Sequence, residues 1–301
     1  MFLLVAVALA LMVGATSARA DARADCTQDR DLPRAIRGCT EIIQQGKNIA
    51  IPLYNRGVAY QANGDLDLAI ADFDLAIAIN PKYAQAYNNR GNAYKAKGDL
   101  DRAIADLDQA VALLPKHPLP YYNRGTAYLA KGEHDRAIAD YSKAIEINPK
   151  YAAAYNGRGV AYDKKTDYDG AIADYSMAIE IDPRHTDALN NRGLTYFHKQ
   201  EYDRAIADHS KAIEINSENA SYYKGRAWAY IKAGKAALAL ADAERSLALR
   251  PNDAATLGIR GHILEALGRR EEAIADFRRA LAKNPDNQEN KDALKRLGAS
   301  Q

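Results

Sequence analysis

Seven arginines recur every 34 residues, at Arg56, Arg90, Arg124, Arg158, Arg192, Arg226 and Arg260. Each is followed within its period by an aspartate: Asp72, Asp106, Asp140, Asp174, Asp208, Asp242 and Asp276. A guanidinium is always charged and presents its donors as a planar fork that matches a carboxylate. The two rows can therefore form bidentate ion pairs, and the matched aspartates favour that over seven arginines collecting an acidic peptide. A second track runs just before the arginines: Tyr54, Asn55, Asn88, Asn89, Tyr122, Asn123, Asn156, Asn190 and Asn191. A carboxamide donates and accepts at once, so such a row can hold a peptide main chain without demanding a sequence. The alternative is that these residues cap or solvate a helix start. Phe197 and the sole tryptophan, Trp228, offer an aromatic anchor or inter-helix packing. The chain has no Gly-rich phosphate loop, His-x-Glu pair, CxxC or serine elbow, and its six histidines occupy unrelated places in the period. Neither metal nor cofactor is expected, and an enzyme is not.

A strict period of this length means a stacked array. Numbering each unit from Ala50, Ala84, Pro118, Ala152, Thr186, Ala220 and Ala254 gives units 50–83, 84–117, 118–151, 152–185, 186–219, 220–253 and 254–287. The arginines then fall at unit position 7 and the aspartates at position 23. Position 8 is Gly in six units and Ala227 in the sixth; position 11 is Tyr except Leu264; position 20 is always Ala; position 27 is Ala except Ser246; position 32 is Pro except Ser217. Positions 4, 8 and 11 share one helical stripe, as do 20, 24 and 27. Small residues at 8 and 20 let two backbones approach, and the ring at 11 fills the space beside them. Gly64, Gly98, Gly132, Gly234 and Gly268 end the first helix, and proline stops the second. Each unit is thus read as two antiparallel helices in which positions 7 and 23 lie at one height. The Arg–Asp bridges can then run within a unit or to the next unit's first helix.

This pattern resembles the tetratricopeptide repeat across residues 50–287. The resemblance implies an all-α, right-handed α-solenoid of seven helix-turn-helix repeats, whose first helices line a concave groove that binds a peptide or partner protein. It also implies that Asn55, Asn89, Asn123 and Asn191 resemble the asparagine ladder with which some long arrays hold peptide backbone, with Val58, Thr126, Leu194, Phe197, Trp228 and Ile231 selecting side chains. The family's carboxylate clamp is not matched, since Tyr54 and Val58 stand where it wants Lys and Asn. Position 7 is usually apolar in the family. Leu107, His209 and Ala243 depart from the aromatic expected at position 24, and with Ala227 and Ser246 unit 6 is expected to pack most loosely.

The ends differ. Phe2 to Val13 is an apolar run followed by Ala18-Arg19-Ala20, which fits a secretory signal peptide over 1–20. Ala22-Arg23-Ala24 is a second candidate cleavage site, and an uncleaved anchor is the alternative. The only cysteines, Cys26 and Cys39, are expected to bridge in an oxidising compartment and to pin a half-repeat cap over 21–49. Residues 288–301 are read as a capping helix and tail. A net charge of +2 argues against nucleic acid, and no later stretch spans a membrane. The whole reads as an exported, periplasmic interaction scaffold with an unidentified protein partner. A non-catalytic regulatory subunit of an envelope enzyme complex and a self-assembling structural protein are the alternatives; the oligomeric state is left open.

Overall fold

The protein is seen in a computed structural model that describes residues 22–27, 31–46 and 48–299. The proposed signal segment, with cleavage after Ala20, lies outside the described residues. Every described element is helical, and the helices pack in consecutive antiparallel pairs. Two compact units divide the chain after Pro149.

The first unit opens with a helical turn, α1, over 22–26 and with α2 (Leu32–Gln44). Asp31 caps α2 through the Arg34 amide at 3.0 Å. Cys26 is disulfide-bonded to Cys39, and both are buried. A Cβ on Gly38 would lie 2.7 Å from the Ala22 carbonyl oxygen, so α1 sits directly on α2. The pairs α3 (Ala50–Asn63) with α4 (Leu66–Ile79), α5 (Ala84–Ala96) with α6 (Leu100–Leu113), and α7 (Pro118–Lys131) with α8 (His134–Ile147) follow. In the second unit α9 (Ala152–Lys164) pairs with α10 (Tyr168–Ile181), and α11 (Thr186–His198) with α12 (Tyr202–Ile215). Beyond them come α13 (Ala220–Lys232) with α14 (Ala236–Leu249), α15 (Ala254–Ala266) with α16 (Arg270–Lys283), and finally α17 (Gln288–Arg296).

Packing follows from residue size. The position-8 glycines receive the side chain of position 24 from the paired helix. A Cβ on Gly57 would stand 2.7 Å from the Phe73 ring, and one on Gly159 2.7 Å from Tyr175. The position-20 and position-27 alanines are fully buried behind them. Left-handed residues make the turns inside the pairs: Gly64 and Gly98 in the first two, but Thr166 (φ 61°) and Gln200 (φ 63°) in the fourth and fifth.

In the sixth repeat Ala227, Ala239 and Ala243 are buried together with Ile263. The Ser246 hydroxyl lies 3.0 Å from the Ala220 carbonyl and 3.2 Å from the Thr256 hydroxyl. At the far end, Ala293 and Leu294 of α17 bury against Phe277 and Leu281, and Arg296 makes a bidentate pair with Glu265 at 2.8 Å.

Candidate functional site

The arginine row is the most regular feature of the first helices. Every position-7 arginine donates Nε and Nη2 to the two carboxylate oxygens of its own unit's position-23 aspartate. Distances run from 2.7 and 2.8 Å for Arg56–Asp72 to 2.6 and 2.9 Å for Arg260–Asp276. Arg90–Asp106, Arg124–Asp140, Arg158–Asp174, Arg192–Asp208 and Arg226–Asp242 repeat the geometry. The aspartates are buried and the arginines mostly so. Hydrogen bonding to Asp106 is the main cause that raises the Arg90 pKa above the usual guanidinium value, against opposing desolvation.

The third nitrogen does something that the period alone did not disclose. Nη1 reaches back to position 25 of the preceding second helix: Arg56 to Thr40 (3.0 Å), Arg90 to Asp74 (2.5 Å), Arg124 to Asp108 (2.7 Å), Arg192 to Ser176 (2.9 Å) and Arg226 to Ser210 (3.0 Å). One guanidinium thus ties two helices of its unit to the helix before. The signal was available as a column of hydrogen-bond acceptors, but its residue types are mixed and it does not stand out as a motif.

Beside the arginines, the carboxamides pair across units. In the first unit Asn89 donates to the Tyr54 hydroxyl (3.0 Å), Asn123 to Asn88 Oδ1 (2.8 Å) and Asn88 to Asn89 Oδ1 (3.1 Å). Asn88 and Asn123 are only 5% and 6% exposed, so they are occupied with each other rather than open to a ligand. In the second unit Asn191 donates to Asn156 Oδ1 at 3.1 Å. The rule is that position 6 of one repeat donates to position 5 of the repeat before. It has no donor where position 6 is Gly157, Gly225 or Ile259, and at Gly225 this leaves the buried Oδ1 of Asn190 without a partner. Asn55, Asn89, Asn156, Asn190 and Asn191 remain half-buried on this face. Asn55 lies against the disulfide, 3.9 Å from Cys26 Sγ. Tyr54 packs on Phe73 with ring centroids 5.9 Å apart, and Tyr122 on Tyr141 at 5.8 Å.

Phe197 and Trp228 come together, stacked at 6.0 Å and 26°. His262 continues the row 5.8 Å beyond Trp228, and Lys232 Nζ lies 4.5 Å from the indole centroid. A depression of about 660 Å³ opens beside Trp228, lined by Lys232, His262, Glu289 and Arg296 among others. Large apolar side chains also stay exposed at first-helix positions 2 and 9: Ile51, Leu119, Val58 and Leu194. Sequence reasoning missed Lys95, half-buried on this face and bonded to the Thr126 hydroxyl at 2.7 Å, with burial lowering its pKa. Its position varies freely from unit to unit and gave no pattern. Among the described residues no helix is long and apolar enough to cross a membrane.

Models of the tetratricopeptide repeat match residues 50–83, 152–185 and 186–219, 73–105, and 254–287, and a TPR-repeat model matches 91–132 and 125–166. Among curated proteins none matches the chain. Of solved structures, the APC/C hetero-tetramer Cut9-Hcn1 is similar with TM-score 0.70 at 17% identity, over 88% of this chain and 52% of that one, so the chain spans about half its length. A tetratricopeptide repeat protein from Parabacteroides merdae is similar with TM-score 0.63 at 24% identity, covering 83% of this chain and 98% of that one. YrrB, a TPR protein, has TM-score 0.50 at 22% identity, over 62% of this chain and 95% of that one. At these identities the likeness is one of fold.

Proposed function

The chain belongs to the tetratricopeptide-repeat family, a fold that generally mediates protein–protein interaction, and on that premise we propose that it is a non-enzymatic scaffold holding a partner's peptide segment on its first-helix face. The observation that carries this is the recurrence of exposed apolar residues there. Ile51, Val58, Leu119 and Leu194 stay 37–63% exposed at the same two unit positions, alongside half-buried carboxamides and the Phe197–Trp228 stack. Apolar side chains supply area, aromatic ones supply anchors, and carboxamides satisfy main chain. The ladder enters in reduced form: Asn88 and Asn123 hold units together, while Asn55, Asn89, Asn156, Asn190 and Asn191 with Tyr54 and Tyr122 are the residues offered to a partner. YrrB is described as having an unusual peptide-binding site, which makes a peptide the first ligand class to test here. The Cys26–Cys39 bridge supports an oxidising compartment, and we assign the protein to the periplasm.

Leu194→Asp combined with Trp228→Ala tests the reading. Both side chains sit on the face, so the double variant is expected to keep its helical circular dichroism and lose at least tenfold in affinity for a partner captured by the wild type. Undiminished capture by a folded double variant would move the site elsewhere.

A further inference from the structure

Two departures from the repeat, His209 and Gly225, meet at one joint, between the fifth and sixth units. His209 stands where other units carry Phe73, Tyr141, Tyr175 or Phe277, and it is completely buried with neither ring nitrogen hydrogen-bonded. Its ring is wedged between two first helices: a Cβ on Gly193 would be 3.0 Å from it, and one on Gly225 2.5 Å. Gly225 also removes the carboxamide that would cross-link this joint, leaving the buried Asn190 Oδ1 unpaired, whereas Tyr54–Asn89, Asn88–Asn123 and Asn156–Asn191 carry that link at three other joints. The joint therefore lacks the carboxamide tie, is held on its polar side by the Arg226–Ser210 bond at 3.0 Å, and has a titratable ring in its core.

The surroundings give an added proton no counter-charge. Helices α11 and α13 are the elements packed on α12. Into the joint α11 brings Arg192 and α13 brings Arg226, which repels an imidazolium. The carboxylates at hand are engaged: Asp208 of α12 is bidentate to Arg192, and Asp242 of α14 to Arg226. Lys224, also on α13, turns to Asp253 at 3.6 Å. Burial is the main cause that keeps the imidazole neutral, and Arg226 is the second.

We propose that this joint is an acid-sensitive hinge: protonation of His209 drives α13 away from α11 and so separates Phe197 from Trp228, which lie on those two helices. Neutral pH holds the aromatic pair assembled, and acid opens it. That such opening releases a partner rests on the function proposed above; the hinge itself does not.

Hydrogen exchange of the full chain at pH 7.0 and 4.5, expressed as protection factors, tests the hinge without any partner. An imidazole held to about 4 when closed and at its ordinary 6.5 when open makes protection across 186–232 fall roughly 50-fold between those pH values. Residues 50–83 have the same Arg–Asp clamp with Phe73 in the slot and are expected to change far less. His209→Leu, copying Leu107 of the second unit, abolishes the fall, as does His209→Phe should the leucine variant fold poorly. No fall in the wild type, or an equal fall in either folded variant, overturns the proposal. Loss of partner binding by Trp228→Ala with the exchange behaviour intact would separate the hinge from the binding face.

Discussion

At the scale of single residues, the guanidinium of position 7 is what distinguishes these repeats. Each buried aspartate receives two hydrogen bonds from one arginine, so removing the arginine strands a charge in the interior. Arg124→Leu is expected to destabilise by about 3 kcal/mol, because Asp140 loses both donors and Asp108 a third. Arg124→Lys recovers only part of that, since an ammonium cannot serve all three bonds in a fixed plane. Thermal melts decide it: an unchanged or higher melting temperature for Arg124→Leu would show that the pair does not hold the fold. The pairing was legible because both partners keep their residue type in every unit. The third bond was not, because Thr40, Asp74, Asp108, Ser176 and Ser210 share only the ability to accept. His209 was visible as a departure, yet its coupling to Gly225 was not, since a contact between neighbouring units depends on how they stack and leaves no mark on the period.

Elements reveal where the repeat is strained. In most units the first helix ends on a left-handed glycine, but Thr166 and Gln200 take that conformation with a Cβ. Thr166→Gly and Gln200→Gly are each expected to stabilise by about 1 kcal/mol, read as a higher urea midpoint. Equal or lower midpoints would show that the turns are held by contacts that glycine cannot make. Helix boundaries were readable from glycine and proline because those residues act on their own backbone. The pairing of Asn88 with Asn123 was not readable, since whether a carboxamide faces a neighbour or a ligand depends on the spacing between stacked helices. The same chemistry fits both roles.

For the whole molecule, the pattern of exposure is the argument for function. Second helices present Leu68, Leu75, Met177 and Leu238, while first helices present Ile51, Val58, Leu119 and Leu194, so exposed apolar residues occur on both faces. Only on the first helices do they stand with the half-buried carboxamides, Trp228 and Phe197. Site-specific photo-cross-linking in the native host separates the two faces most directly. A photoreactive residue placed at Val58, Leu119 or Leu194 is expected to capture a common partner, and one at Leu75, Met177 or Leu238 to capture none. Cross-links confined to the second-helix positions, with the first-helix positions silent in folded protein, would contradict the account.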